Sequence, residues 1–236
     1  MDIENWYNRI PIITRVYVSI IGIVMLGCQL KLWNKYQLFF SWPLFREGQY
    51  WRLFTTYFFF GSPSIDTLFH LYFTLQYFQS LEDESYRGRR ADFVYLLLYS
   101  TVATTLLSVV FRLSTYIPFL SNCLTFIVTY IWARRNPSVR MNFLGLLTFH
   151  APYLPLTLIG FTVVLHSSIP YSDLLGLVVG HLYYYAEDVY PLLPHSNGYR
   201  FFACPQWFKN LIEPRDDYEP IQDAPVLNDN LNENPN

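Results

Sequence analysis

The sequence predicts an all-α membrane protein: a bundle of six transmembrane helices with both termini in the cytosol. Three observations predict it. Hydrophobic residues make up 52% of the 236 and charged ones only 14%, where soluble chains carry about 25% charge. Aromatic residues reach 19%, including twenty Tyr, and Tyr and Trp are at home where a membrane meets water. The charges are also segregated, so that windows free of Asp, Glu, Lys and Arg alternate with charged loops. The mean hydropathy of +0.17 is modest because the Tyr residues and a polar tail pull it down.

The first window is Val16–Leu30. The segment before it carries charges and Pro11, and no small-residue cleavage site follows it. An uncleaved first helix is expected rather than a signal peptide. Lys31 to Asp66 is a long aromatic loop containing the apolar run Leu53–Phe60, which is too short to span and ends at Gly61-Ser62-Pro63. It is expected to lie in the interface. The second span is Thr67–Leu81, the third Phe93–Phe111 and the fourth Ile117–Ala133. The fifth is placed at Pro152–His166, with Met141–Ala151 as an approach segment, and the sixth at Leu174–Ala186. Residues 1–190 then form the membrane domain. Residues 191–236 form a cytosolic tail, rich in Pro, Asn and Asp and expected to be disordered after about 213. Within it, Phe201–Ile212 is aromatic enough to lie on a membrane surface.

Six spans put both ends on one side. That side collects eleven Lys and Arg residues and the other five, and the excess marks the cytosol. A net charge of −2 gives no nucleic-acid signal. Cys28, Cys123 and Cys204 are scattered without a CxxC, so neither a disulfide framework nor a zinc site is implied. No Walker A motif supplies nucleotide binding, and no cofactor is expected.

Several windows are short. Fifteen uncharged residues separate Arg15 from Lys31 and thirteen separate Asp173 from Glu187. At about 1.5 Å per residue they cover roughly 20–22 Å, against a hydrocarbon core about 30 Å thick. Such spans thin the lipid, snorkel their flanking charges or hide their ends in neighbours.

Several blocks stand in a distinctive order. They begin with Ile10-Pro11-Ile12-Ile13-Thr14-Arg15 and Trp51-Arg52-Leu53. Leu81-Glu82-Asp83-Glu84-Ser85-Tyr86-Arg87-Gly88-Arg89-Arg90 follows the second span. Trp132-Ala133-Arg134-Arg135-Asn136-Pro137 and Val139-Arg140-Met141-Asn142-Phe143 follow the fourth. Leu174-Leu175-Gly176, Val179-Gly180-His181 and Glu187-Asp188-Val189 close the sixth. From about residue 7 to 195 the chain resembles the Derlin family. The resemblance implies a rhomboid-like six-helix fold in the endoplasmic reticulum membrane. It implies a non-proteolytic role in ER-associated degradation, the retrotranslocation of misfolded luminal or membrane proteins to the cytosol. It also implies a membrane RING ubiquitin ligase complex and a cytosolic AAA ATPase as partners. Many Derlins end in a Gly- and aromatic-containing box that binds this ATPase. Here no Gly follows Gly198, so recruitment is expected to be indirect.

The candidate site residues are tied to that role. Trp51 and Arg52 pair an amphipathic aromatic with a permanent cation, suited to anchoring a loop among lipid headgroups and to disturbing lipid or receiving substrate. Gln76 and Gln79 are expensive in lipid and read either as lining a laterally open polar cavity or as inter-helix hydrogen bonding. Asn122 and Thr125 could line the same cavity. Gly176 and Gly180, four apart, let the sixth helix approach the fourth closely. Asp66 with His70 could suggest a metal site or proton relay, though a hydrogen-bonded His is the plainer reading.

Serine-protease chemistry needs an activated nucleophile with a base in reach. Ser121 lacks flanking glycines, and the position that carries the base in active rhomboids is Asp173, whose ordinary pKa lies far below that of an imidazole. No catalytic residue is therefore expected. The alternatives to retrotranslocation are an active intramembrane protease, a scaffold for quality-control complexes and a small-molecule transporter. The last lacks paired interrupted repeats. Whether the working unit is one chain, a homo-oligomer or a hetero-oligomer is left open.

Overall fold

The computed structural model describes residues 3–143, 147–196 and 198–213. Six longer helices coincide with the six windows: α2 (Ile12–Gln29), α5 (Ile65–Ser80), α6 (Arg90–Val110), α7 (Ser121–Arg135), α8 (Leu154–His166) and α9 (Tyr171–Tyr184). Short helices flank them: α1 (Ile3–Arg9), α3 (Trp42–Arg46), α4 (Arg52–Thr55) and α10 (Gln206–Ile212). Among the described residues two helices, α2 and α6, are long and apolar enough to cross a membrane.

α7 is the axial rod. Between Ser121 and Ala133 every residue except Asn122 is buried, so the helix is enclosed on all its faces. α9 and α5 make its most extensive contacts, and α6 and α8 also pack on it. α5 and α8 both lean on α7 but hardly touch one another.

The structure lengthens two short spans without making them more apolar. α5 continues through a π-helical turn, Leu81–Ser85, and α9 through another, Tyr185–Val189. Both turns are acidic, carrying Glu82, Asp83 and Glu84 in one and Glu187 and Asp188 in the other. The rods are extended by charge, so their apolar lengths stay short.

Two expectations need correcting. Met141–Ala151 is not an undifferentiated approach to the fifth span, and the chain is not wholly α. β1 (Arg140–Phe143) and β2 (Leu147–His150) pair as an antiparallel hairpin, with Met141 opposite Phe149 and Phe143 opposite Leu147. The first large loop also packs against the bundle. Tyr57, Phe59 and Phe60 are buried, because the Tyr57 hydroxyl reaches α6, bonding to the Thr101 carbonyl at 2.8 Å and to the Thr104 and Thr105 hydroxyls at 2.7 Å.

Past Pro191 the described chain folds back on the bundle. The Lys209 ammonium lies 3.3 Å from the Asp92 carboxylate, and the Ala91 N–H at the start of α6 donates to Glu213 Oε1 at 2.9 Å. Phe202 stacks on Tyr183, with centroids 5.8 Å apart. The tail from 214 onward, expected to be disordered, lies outside the described residues.

Candidate functional site

At the loop end, Trp51 and Arg52 part company. The Trp51 side chain is 54% exposed, whereas Arg52 is only 6% exposed. The Arg52 guanidinium turns inward instead of snorkelling. Nη1 donates to the Tyr36 carbonyl at 2.8 Å and the Phe39 carbonyl at 3.1 Å, and Nε to Gln49 Oε1 at 2.6 Å. A guanidinium has five N–H donors in a rigid fork, which suits it to tying several carbonyls of an irregular loop. Arg52 thus shapes the platform on which Trp51 is presented.

The polar residues of the second and fourth spans divide. Thr74 and Thr125 meet inside the bundle, their hydroxyls 2.8 Å apart. Asn122 lies one turn before Thr125, and its Oδ1 is shielded from solvent with no hydrogen-bond partner among the described residues. Gln76 is exposed and Gln79 half-buried. The buried positions of α5 are Thr67, Thr74, Tyr77 and Phe78, and Gln76 stands about 200° round the helix from Thr74, on the face of Leu68 and Tyr72. Gln76 is therefore not brought to the Thr74–Thr125 contact. Asp66's side chain lies outside the described part, so its pairing with His70 does too.

Gly176 and Gly180 seat α9 on α7. A methyl group at Gly176 would come within 2.9 Å of both the Cys123 carbonyl oxygen and Phe126 Cβ, and one at Gly180 within 3.1 Å of Tyr130. Ser121, at the start of α7, is buried, and its hydroxyl donates to the Phe59 carbonyl at 2.7 Å. Asp173 is buried, accepting from Thr162 of α8 at 3.3 Å and from Ser172 at 3.2 Å.

Sequence reasoning missed the opposite end of the bundle, where carboxylates fasten the helices. Glu82 accepts from Thr14 and Ile13 at the start of α2. Glu84 accepts from Trp132 Nε1 at 2.8 Å. Arg135 binds Asp188 with two hydrogen bonds, at 2.9 and 3.0 Å. The signal was present, since an acidic run directly after an apolar window is where charges meet the free N–H groups of neighbouring helix starts.

A model of the Der1-like family matches residues 10–206. The chain belongs to the Derlin family. It is 40% identical to Derlin-2.1 of Zea mays over 89% of this chain and 86% of that one. It is 40% identical to Derlin-2.2 of Arabidopsis thaliana, covering 89% and 88%. A probable derlin-2 homolog of Dictyostelium discoideum is 34% identical, covering 89% and 83%. This Derlin is accordingly a membrane protein with a part in ER-associated degradation. The family match runs across every block quoted from the sequence between Ile10 and Val189, and as far as the Phe201–Cys204 return over α6 and α9.

Proposed function

We propose that this Derlin is a non-catalytic, multi-pass protein of the endoplasmic reticulum membrane that promotes retrotranslocation of misfolded luminal or membrane proteins. Its six helices span the bilayer with both termini in the cytosol, which puts the arginine-rich carboxylate end on the cytosolic side and the Trp51 platform in the lumen. A substrate segment enters sideways between α5 and α8, the two helices that share α7 but hardly touch.

The observation that carries the reading is Asn122. A shielded carbonyl with no donor is expensive inside a bundle. A passing polypeptide supplies N–H groups, so Asn122 is poised to receive one. Thr125 lines the same path, while Gln76 on the outer face of α5 meets substrate or lipid before entry. The short apolar stretches of α5 and α9 thin the lipid beside this opening. Insertion scales put a charge at the bilayer centre at about 2.5–3.5 kcal/mol, and a thinner, wetter path lowers that barrier.

Two observations weigh against proteolysis. The Ser121 hydroxyl is committed to a backbone carbonyl, and the buried Asp173 stands where a base would be needed. The driving force comes from a cytosolic AAA ATPase, recruited through other components, and the ubiquitin from a membrane RING ligase complex.

The test is turnover of a misfolded luminal reporter in cells carrying Asn122→Leu. Slower degradation with the ligase complex still co-purifying supports the proposal. Unchanged turnover would instead point to a scaffold. Cleavage of a transmembrane substrate by the purified protein, abolished by Ser121→Ala, would point to a protease.

A further inference from the structure

A cavity of about 430 Å³ opens at the carboxylate end between α6, α9 and the returning tail. Its size is that of a small-molecule site. Cations and anions share its walls. Arg89, Arg200 and Lys209 stand beside Asp92, Glu187 and the Arg135–Asp188 pair. Tyr183 and Phe202 add two stacked rings, 15° from parallel.

Most of these charges are matched to one another, and Glu187 stands out. Its side chain is 12% exposed, and its Oε1 meets Arg200 only at 3.5 Å. Its Oε2 is buried and has no hydrogen-bond partner among the described residues. Burial holds this carboxyl above its ordinary pKa, with Arg200 pulling the other way. A donor brought to Oε2 would favour the carboxylate form. Arg200 is 55% exposed, and Arg89 is exposed and gives one N–H to the Ser85 carbonyl at 2.8 Å, so both can turn further N–H groups toward a ligand.

We propose that this cavity binds the zwitterionic headgroup of an amine-bearing phospholipid, its ammonium on Glu187 Oε2 and the Tyr183–Phe202 rings, its phosphate on Arg200 and Arg89. An ammonium satisfies an orphan carboxylate oxygen and is drawn to aromatic faces. Arginine is suited to phosphate. A lipid is favoured over a soluble ligand by what borders the cavity. α10 supplies Lys209 to the lining but exposes Trp207 and Leu211 on its other side, at 68% and 72%. That apolar edge is typical of a helix resting on a membrane. The bound lipid would tie the tail to the ends of α6 and α9. The inference does not depend on the retrotranslocation reading.

The experiment uses the full chain purified in mild detergent and offered labelled phosphatidylethanolamine or phosphatidylglycerol, with retained lipid counted by native mass spectrometry. The wild type should retain phosphatidylethanolamine about tenfold better, the scale of one charge-assisted hydrogen bond. Glu187→Gln should bring the ratio close to one, and Arg200→Ala should weaken both lipids. Where Glu187→Gln does not fold, Phe202→Leu takes its place and should also lower the ratio. Equal retention by the wild type, or a ratio untouched by these changes at Glu187 and Phe202, would overturn the proposal. Displacement by free phosphoethanolamine at matched concentration would assign the same chemistry to a soluble source, and displacement by neither it nor an oligolysine peptide assigns it to the lipid. Displacement by an oligolysine peptide, but not by phosphoethanolamine, would make Glu187 a docking point for protein and overturn the assignment.

Discussion

Glu82 closes the start of α2 through Thr14, 68 residues away along the chain. One carboxylate oxygen accepts both the Thr14 N–H, at 2.8 Å, and the Thr14 hydroxyl, at 2.7 Å. The other accepts the Ile13 N–H at 3.0 Å. Pro11 stands at the cap position and offers no side-chain acceptor. The second helical rod therefore supplies the cap that the first lacks, with its negative charge at the positive end of the α2 dipole.

Glu82→Ala removes three hydrogen bonds and leaves two N–H groups of a helix start unpaired. A loss of about 2–4 kcal/mol is expected. Glu82→Gln keeps an acceptor and should lose less. Thermal unfolding in detergent ranks the two, and equal melting of Glu82→Ala and wild type would show that the cap contributes nothing.

Gly176→Ala must push α9 away from a backbone carbonyl, since its Cβ would lie 2.9 Å from the Cys123 oxygen. Gly180→Ala meets a Tyr130 ring atom at 3.1 Å, and a ring can shift. Overpacking of this kind destabilises by about 1–3 kcal/mol, so Gly176→Ala should be the worse variant. Gly176→Leu should abolish folding, seen as loss of the monodisperse peak on size exclusion.

Tyr57→Phe deletes the hydroxyl that ties the large loop to Thr101, Thr104 and Thr105 of α6. About 1–2 kcal/mol of stability should go with it. Hydrogen exchange should rise in Leu53–Phe60 before it rises in α7.

Glu187 should give the tail a pH response. Its carboxyl is raised above the ordinary 4.5 by burial, against Arg200, with Asp188 and Asp92 adding to the rise and Arg135 opposing it. A raised carboxyl pKa favours the protonated form in the folded protein. This contribution is complete below the ordinary pKa and is lost as pH rises from there through the raised value. Exchange protection of α10 should therefore fall across mildly acidic pH. Glu187→Gln should flatten that fall, and a flat wild-type profile would contradict the assignment.

The positions of the helices were legible because charge-free windows mark apolar rods. Their ends were not, because specific partners bury charges inside the rods. α2 begins at Ile12, ahead of Arg15, since the Arg15 guanidinium turns back to the Ile10 carbonyl at 2.8 and 3.1 Å. α9 begins at Tyr171, ahead of Asp173, which Thr162 and Ser172 accommodate. The hairpin was legible and overlooked. Arg140-Met141-Asn142-Phe143 and Leu147-Thr148-Phe149-His150 both alternate polar and apolar residues, which is the strand period. The site was legible only in part. Asn122 and Thr125 were identified, but the inward turn of Arg52 depends on the carbonyls of a loop folded around it, which no local pattern encodes.

Gln76→Leu with Gln79→Leu separates substrate handling from simple packing. Gln76 is exposed and Gln79 half-buried on α5, so the double change should leave unfolding within about 0.5 kcal/mol of wild type. Degradation of the misfolded luminal reporter should slow while the ligase complex still co-purifies. Normal turnover would remove these residues from the substrate path.

The central claim is that short apolar stretches thin the bilayer beside the bundle. It is tested most directly by the headgroup-to-headgroup distance around the protein in lipid nanodiscs, read from electron cryomicroscopy. From Leu174 to Ala186, α9 and the turn after it carry thirteen uncharged residues before Glu187, roughly 20 Å of apolar rod, whereas the uncharged stretch along α6, from Phe93 to Val110, is eighteen residues. The leaflets should draw several ångströms closer beside α5, α8 and α9 than beside α6 or in the distant bilayer. A uniform thickness all the way round the protein would contradict the account.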